Sequence, residues 1–324
     1  MTVEAVVVGR IGVDFTPTEI RTSLADATSF VRAVGGFAGN VATGLARLGI
    51  RTGVVSAVGP DGHGDFVRGF LEREGIDTAG LVLRSGTVTQ LAFVEVWPPD
   101  RFPATFHRSV PAPETGLVSD DIPGGWLRNA RLVIVSATLL ATEPARSTVQ
   151  EILELRRAAH ESGARDAITI LDLDWRPTLW PDPGEAPRLV ARAAATAGIV
   201  IGSDEEYDAV HLRPARSQLG STGPEMDVVK HGPAGVSLLR DAGRYDVAGI
   251  PVEVLCGTGA GDALAAAFGA GLIAGLDPEV AVTRGNAAGA IVATRLMSST
   301  AMPTAAEISG LLAGSPPVPE TIGA

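Results

Sequence analysis

The chain of 324 residues is 45% hydrophobic and only 19% charged, a composition that supports a large buried core and excludes a disordered chain. Its 26 basic residues face 37 acidic ones, and the net charge of −11 argues against nucleic acid or an anionic membrane as a partner. A single cysteine, Cys256, excludes an internal disulfide framework and any zinc site built on cysteines; a single lysine, Lys230, stands among basic residues that are otherwise all arginine.

Short β-branched runs alternate with helical spacing along most of the chain. Ala5 to Val8 reads as a buried strand, and Val13 to Ala33 as polar turns without a clean helix. A helix is predicted over Asn40 to Leu48, a strand over Val54 to Val58 and a helix over Asp65 to Glu74. Thr89 to Arg108 alternates apolar and polar residues around a Pro98-Pro99-Asp100 turn, which predicts antiparallel strands; an ordinary edge hairpin is the plain alternative. Then follow strands at Leu132 to Val135, Ile168 to Leu173 and Gly198 to Ile201, with helices at Ala145 to Ser162 and Ala186 to Ala197 between them. Val252 to Leu255 is strand-like and precedes a helix over Ala263 to Ala274; successive helices run from Pro278 to Leu312, before a Pro-rich tail, Ser315 to Pro319. Apolar strands separated by helices predict a mainly parallel sheet covered on both faces.

No leader is expected from Met1-Thr2-Val3-Glu4-Ala5, which lacks a basic segment. The least polar stretch, Gly257 to Leu276, is mostly Gly and Ala and carries Asp262, so a buried helix is expected rather than a membrane span. A cytoplasmic protein with no membrane or nucleic-acid partner is the expectation.

The glycine-rich turn Cys256-Gly257-Thr258-Gly259-Ala260-Gly261-Asp262 opens that helix. Closely spaced glycines at a helix N-terminus leave N–H groups open to an anion, and the dipole favours one there. A Walker A loop requires Gly-Lys, and Lys230 follows Val229, so that motif is excluded throughout the chain. A dinucleotide fingerprint starting at Gly257 would place Asp262 where its third glycine belongs, against a pyrophosphate. An anion hole made by Gly259, Ala260 and Gly261, beside a carboxylate able to take a hydroxyl proton, suits phosphoryl transfer to an alcohol. The plain alternative is a helix-capping Asp262 with glycines that permit tight packing.

Gly259-Ala260-Gly261-Asp262 and the small-residue helix after it resemble the PfkB, or ribokinase-like, family of carbohydrate kinases. So does Gly35-Gly36-Phe37-Ala38-Gly39-Asn40-Val41-Ala42, continuing through Ala46-Arg47-Leu48-Gly49, and the two stretches stand in the family's order. The resemblance spans essentially the whole chain. It implies one α/β kinase domain over 1–324, a ribokinase-like, Rossmann-type three-layer sandwich with a small projecting β-sheet lid formed by about 12–34 and 88–110.

By the same resemblance ATP and Mg²⁺ are the expected cofactors, Asp262 matches the catalytic base and Gly259 to Gly261 the anion hole. Asp14, Gly35, Gly36 and Asn40 match positions that hold sugar hydroxyls; an N-cap role for Asn40 and a flexible turn at the glycines are the alternatives. Ser203-Asp204-Glu205-Glu206 resembles an Asn-x-x-Glu element that organises magnesium and phosphate, with Glu206 matching and Ser203 replacing the asparagine. Its alternative is the first turn of a surface helix. Lys230, Gly232 and Gly235 resemble a turn bordering the nucleotide, Lys230 meeting a phosphate or simply ending a strand, and Asn286 matches a position near the adenine. Cys256-Gly257 stand where the family often has Asp-Thr, which weighs against the monovalent-cation site the resemblance would otherwise imply. Cys256 itself reads as a packing residue.

The stretches Pro98 to Pro103 with Phe106-His107-Arg108, Leu171 to Pro177, and Ser299 to Thr304 resemble the subgroup acting on 5-dehydro-2-deoxy-D-gluconate in inositol catabolism, although His107 stands where a tyrosine is frequent. A carboxylate-bearing acceptor needs a cation, and Arg108 and Arg176 are the expected ones, with Arg176 pairing Asp172 or Asp174 as the alternative. Acceptors such as 2-keto-3-deoxygluconate, fructose, ribose or a nucleoside keep the same chemistry, and a non-catalytic sugar or nucleotide sensor is the reading from another class. Apolar edge strands on the lid predict a homodimer through it.

Overall fold

A computed structural model describes residues 2–163, 167–214, 224–241 and 243–317; Val318 and Pro319 of the Pro-rich tail lie outside the described residues. In chain order the first elements are β1 (Ala5–Val8), β2 (Gly12–Pro17), β3 (Phe30–Gly35), α1 (Phe37–Arg47), β4 (Thr52–Val58), α2 (Gly62–Arg73) and β5 (Asp77–Leu83). There follow β6 (Gln90–Val94), β7 (Ala104–His107), α3 (Trp126–Asn129), β8 (Leu132–Ser136), α4 (Ala145–Glu161), β9 (Ile168–Asp172), α5 (Ala186–Ala194), β10 (Ile199–Ser203) and α6 (Asp204–Ala209). The last are β11 (Met226–Lys230), β12 (Gly235–Arg240), β13 (Gly243–Ala248), α7 (Ala260–Ile273), α8 (Pro278–Ala293) and α9 (Ala305–Leu312).

Nine strands form one sheet in the order β13-β12-β11-β10-β9-β8-β1-β4-β5. It is parallel from β11 to β5, and β12 and β13 add an antiparallel edge. Successive residues of a strand face opposite sides, and here both sides are covered. Ala5, Val7, Val54, Leu132, Ile134 and Ile170 pack with Phe37, Val41 and Leu45 of α1 and with Leu264 and Phe268 of α7. Val6, Val8, Val55, Val133 and Val135 pack on the other face with Val149, Ile152 and Leu153 of α4 and Leu189 of α5. Burying each such side chain stabilises the fold by roughly 1.5–3 kcal/mol, which is why these strands are unbroken apolar runs. The result is a three-layer α/β sandwich.

The stretch that lacks helical spacing becomes the antiparallel pair β2–β3, and β6 and β7 join it in a second sheet of order β3-β2-β6-β7. Several elements depart from the sequence reading. Val252 to Leu255 is not a strand: the Leu255 and Cys256 amides donate to the Ala293 carbonyl, so the segment runs along the end of α8. β13 was not predicted because it is an almost fully exposed edge with no apolar alternation, and β5 lies half-exposed at the opposite edge. α7 begins at Ala260 rather than Ala263; its 14 residues are buried almost all round, and no helix among the described residues is long and apolar enough to cross a membrane.

Candidate active site

From β1 the chain moves outward through β4 and β5, then returns to build β8, β9, β10 and β11 on the other side. The order therefore reverses between β1 and β8, and ligands of open α/β sheets bind outside the strand C-termini at such a reversal. A cleft of about 380 Å³ opens there. Its floor comes from the C-terminal ends of the large sheet, with Arg10, Asp172, Asp174, Glu206 and Lys230, and the N-terminus of α7 contributes Gly259, Gly261 and Asp262. The small sheet supplies the remaining wall through Asp14, Ala92, Val94, Ala104 and Phe106.

Asp262 sits in the first turn of α7, and the N-cap Gly259 holds φ 87°, a left-handed conformation that glycine adopts without strain. Asn40 Nδ2 donates to Asp262 Oδ2 at 2.7 Å, joining the two motifs of the sequence. Burial pushes the Asp262 carboxyl up to about 6, and the negative Asp174 adds to this; Asn40, Lys230 and Arg176 pull the other way. Asp14 is likewise pushed up to about 6 by burial, against Arg10 and a 3.3 Å hydrogen bond from Ser298 Oγ. Gly35 is obligatory beside it: a Cβ there would lie 2.0 Å from Asp14 Oδ2. Of the stretch Gly259 to Gly261, Gly259 and Gly261 line the cleft, while the Ala260 amide donates to the Gly257 carbonyl at 3.3 Å.

On the floor, next to Gly261, Lys230 Nζ lies 3.4 Å from Glu206 Oε2 and 3.8 Å from Asp172 Oδ2. Burial would lower the Lys230 pKa, but the two carboxylates outweigh it and hold the ammonium charged. Asp172 is pushed up, by burial first and by Glu206 and Asp174 besides, although Lys230 opposes this. Ser203 and Glu206 form a reciprocal capping box at the start of α6, with Ser203 N–H on Glu206 Oε2 at 2.7 Å and Glu206 N–H on Ser203 Oγ at 3.2 Å. Glu206 also accepts from the Trp175 amide and lies 3.7 Å from Arg176. Serine thus serves α6 directly, while Glu206 still faces the cleft.

Five carboxylates and three cations line this cleft, so a polyanion enters it favourably only with additional positive charge. Asp172 Oδ2 is buried without a hydrogen-bond partner. Both facts fit a divalent cation arriving with a nucleotide; among the described residues no group of three or more His, Cys, Asp or Glu side chains is placed to hold one unaided.

The profile of the pfkB family carbohydrate kinases matches residues 3–305. The chain belongs to that family. It is an ATP-dependent sugar kinase. Relatives named 5-dehydro-2-deoxygluconokinase include one from Shouchella clausii, 33% identical over 317 residues and covering 95% of each chain. One from Bacillus subtilis is 29% identical over 317 residues, again 95% of each. Among solved structures, an uncharacterized sugar kinase from Pyrococcus horikoshii in complex with ATP superposes with a TM-score of 0.79 at 25% identity, over 94% of this chain and 96% of that one. A Vibrio cholerae fructokinase with fructose, ADP and calcium shares the fold at a TM-score of 0.80 and 24% identity, over 96% and 100%. Structural neighbours of this kinase therefore include ATP and divalent-cation complexes.

Of the residues singled out in the sequence, Asp14, Gly36, Asn40, Arg176, Glu206, Lys230, Gly259, Gly261 and Asp262 line one cleft. Arg108 does not: it ends the strand region of β7 and donates to the buried Glu114 at 2.6 Å, a partner six residues ahead. Asn286 on α8 donates to the Ala248 carbonyl at 2.9 Å, tying α8 to the end of β13. Gly232 and Gly235 shape the turn between β11 and β12 outside the cleft lining, and a Cβ at Gly235 would strike the Val247 carbonyl at 2.0 Å. Arg176 pairs with Asp174 at 3.4 Å, as its alternative reading had it, yet its side chain stays 43% exposed and faces the cleft. Cys256 is buried with Ala33, Val96, Leu296 and Met297. Sequence reading missed Arg10 as a cleft residue, along with Ser298 on Asp14. Arg10 was findable, because the residues just past a central parallel strand's C-terminus are where such sheets place their ligands.

Proposed function

We propose that this kinase transfers the γ-phosphoryl group of Mg²⁺-ATP to a primary hydroxyl of a small sugar acid. 5-Dehydro-2-deoxy-D-gluconate, giving its 6-phosphate and ADP in inositol catabolism, is the acceptor this reading favours. The observation that carries it is Asp262, held by Asn40 at the glycine-rich mouth of α7, in a cleft whose far wall carries arginine. The acceptor oxygen forms the new bond to the γ-phosphorus as the bond to the β–γ bridging oxygen breaks, and the hydroxyl proton passes to the Asp262 carboxylate. Amides at Gly259 and Gly261 receive the charge spread over the equatorial oxygens. A divalent cation, when bound beside Asp172 and Glu206, would neutralise phosphate charge. Lys230 meets the phosphates as a point charge that Asp172 and Glu206 aim.

Asp14 suits an acceptor hydroxyl, with Gly35 giving its carboxylate room. The small sheet would act as a lid that excludes water, with Phe102 and Phe106 over the cleft, and its open edges at β3 and β7 would pair two copies as a homodimer. An ATP-consuming step of this kind belongs in the cytoplasm. The names of the relatives support the acid acceptor, and the excess of carboxylates in the cleft favours the second reading, a neutral acceptor such as fructose. ADP release measured over a panel of sugar acids and neutral sugars separates the two: highest kcat/KM on 5-dehydro-2-deoxygluconate supports the proposal, and highest kcat/KM on a neutral sugar overturns it.

A further inference from the structure

Arg10 is a cleft residue that the transfer chemistry leaves without a task. It follows β1 at the point where strand order reverses, only 6% exposed. Its Nη2 donates to Asp174 Oδ1 at 3.1 Å, and its guanidinium carbon lies 5.8 Å from the centroid of the Phe106 ring. Its Nε is buried without a hydrogen-bond partner. A guanidinium keeps its charge and carries five donors, so a buried one with an unused donor beside a cavity is prepared for an external acceptor.

The surroundings favour an anionic one. Asp174, the carboxylate bonded to Arg10, is shared with Arg176 at 3.4 Å and with Ser136 Oγ at 2.8 Å. Burial alone would raise the Asp174 pKa, but the two arginines and the serine hold it below the ordinary carboxylate range. Arg176 has Glu206 as a second partner at 3.7 Å, whereas Arg10 bonds Asp174 through Nη2 and keeps its Nε without a partner. Arg10, Asp14 and Asp262 line the same cleft. An open-chain acceptor with its reacting hydroxyl at Asp262 meets both Asp14 and Arg10 in the same cleft.

We propose that Arg10 receives the acceptor's carboxylate and sets the preference for a sugar acid over a neutral sugar, in place of the lid residue Arg108, whose guanidinium is bonded to Glu114. The assignment rests on the sugar-acid reading above. The test compares kcat/KM on 5-dehydro-2-deoxygluconate with that on the same molecule reduced to the alcohol at its carboxylate carbon, for the wild type, Arg10→Gln and Arg10→Lys. In the wild type the acid is favoured by about 100-fold or more. Arg10→Gln lowers the acid value by about 100-fold and the neutral value by less than about fivefold; Arg10→Lys retains a charge for Asp174 yet loses most of the preference because the bidentate fork is gone. If the wild type shows no preference for the acid, the sugar-acid reading and the Arg10 assignment fall together. If the wild type prefers the acid and the variants keep that ratio, or lose both activities equally, the assignment alone is overturned. Should Arg10→Gln fail to fold, the ratio in Arg10→Lys decides.

Discussion

At the proposed acceptor end of the cleft, Arg10, Asp14, Gly35 and Asn40 come from the β1–β2 connection, β2, β3 and α1, elements packed together on the central strand. At the proposed nucleotide end, Lys230 sits between Asp172 and Glu206 on β11, the last parallel strand before β12 and β13 add the antiparallel edge. The acceptor end is held by fixed hydrogen bonds, Asn40 to Asp262 and Ser298 to Asp14. At the other end the Lys230 ammonium is held by the charges of Asp172 and Glu206, with Glu206 accepting from the Ser203 and Trp175 amides. On the proposed roles, the base is positioned by a neutral amide donor and the phosphate-binding ammonium by opposite charges.

The largest break in this contrast is Asp262→Asn. Removing the base should lower kcat by about 10³-fold while acceptor binding by calorimetry persists; turnover near the wild-type value would sink the mechanism. Next comes Lys230→Met, which should raise KM for ATP by roughly 10- to 100-fold and leave acceptor binding in the absence of nucleotide unchanged. Weakened acceptor binding in that variant would show that the two ends are not separable.

The pH dependence sharpens the acceptor end. Asp262 must be ionised to accept a proton, and its pKa stands at about 6, so kcat/KM should fall as the pH drops through that value. The Asn40 amide favours the charged form, so Asn40→Ala should move the acid limb to higher pH, by about one unit. A limb that stays in place, or moves down, would remove Asn40 from this role.

Smaller effects appear in stability. Asp14 and Asp262 are raised in the folded state from 3.8 to about 6, so the native protein binds more protons between those values. Their contribution is most favourable at low pH and is lost as the pH rises through about 6. Asp14→Asn and Asp262→Asn should therefore raise Tm at pH 8 by roughly 2–5 °C, with the gain shrinking toward pH 4 in matched scans. The smallest catalytic effect belongs to Arg108→Ala. Its kcat/KM should stay within about twofold, while Tm falls because Glu114 is left buried without its partner.

Much of the acceptor end was legible in the sequence because its residues lie inside two glycine-rich motifs whose spacing is itself the constraint. Asp262 must follow the loop it serves, and Gly35 is required by the approach of Asp14. The nucleotide end was less legible. Gly232, Gly235 and Asn286 share its sequence signature, yet their immediate contacts shape the β11–β12 turn and tie α8 to β13.

The sequence by itself determined the alternation of buried strands and helices, the exclusion of Walker A through its one lysine, and the pairing of a carboxylate with an open helix N-terminus. These are local properties: burial periodicity and the conformational needs of glycine are written residue by residue. Only the tertiary structure decided which charges share a cleft. The reversal of strand order between β1 and β8 brings Arg10, Ser136 and Asp174 together from distant parts of the chain, and a nearby glutamate takes Arg108 out of the site. Electrostatic partnership depends on distance in space, and that distance is set by the sheet.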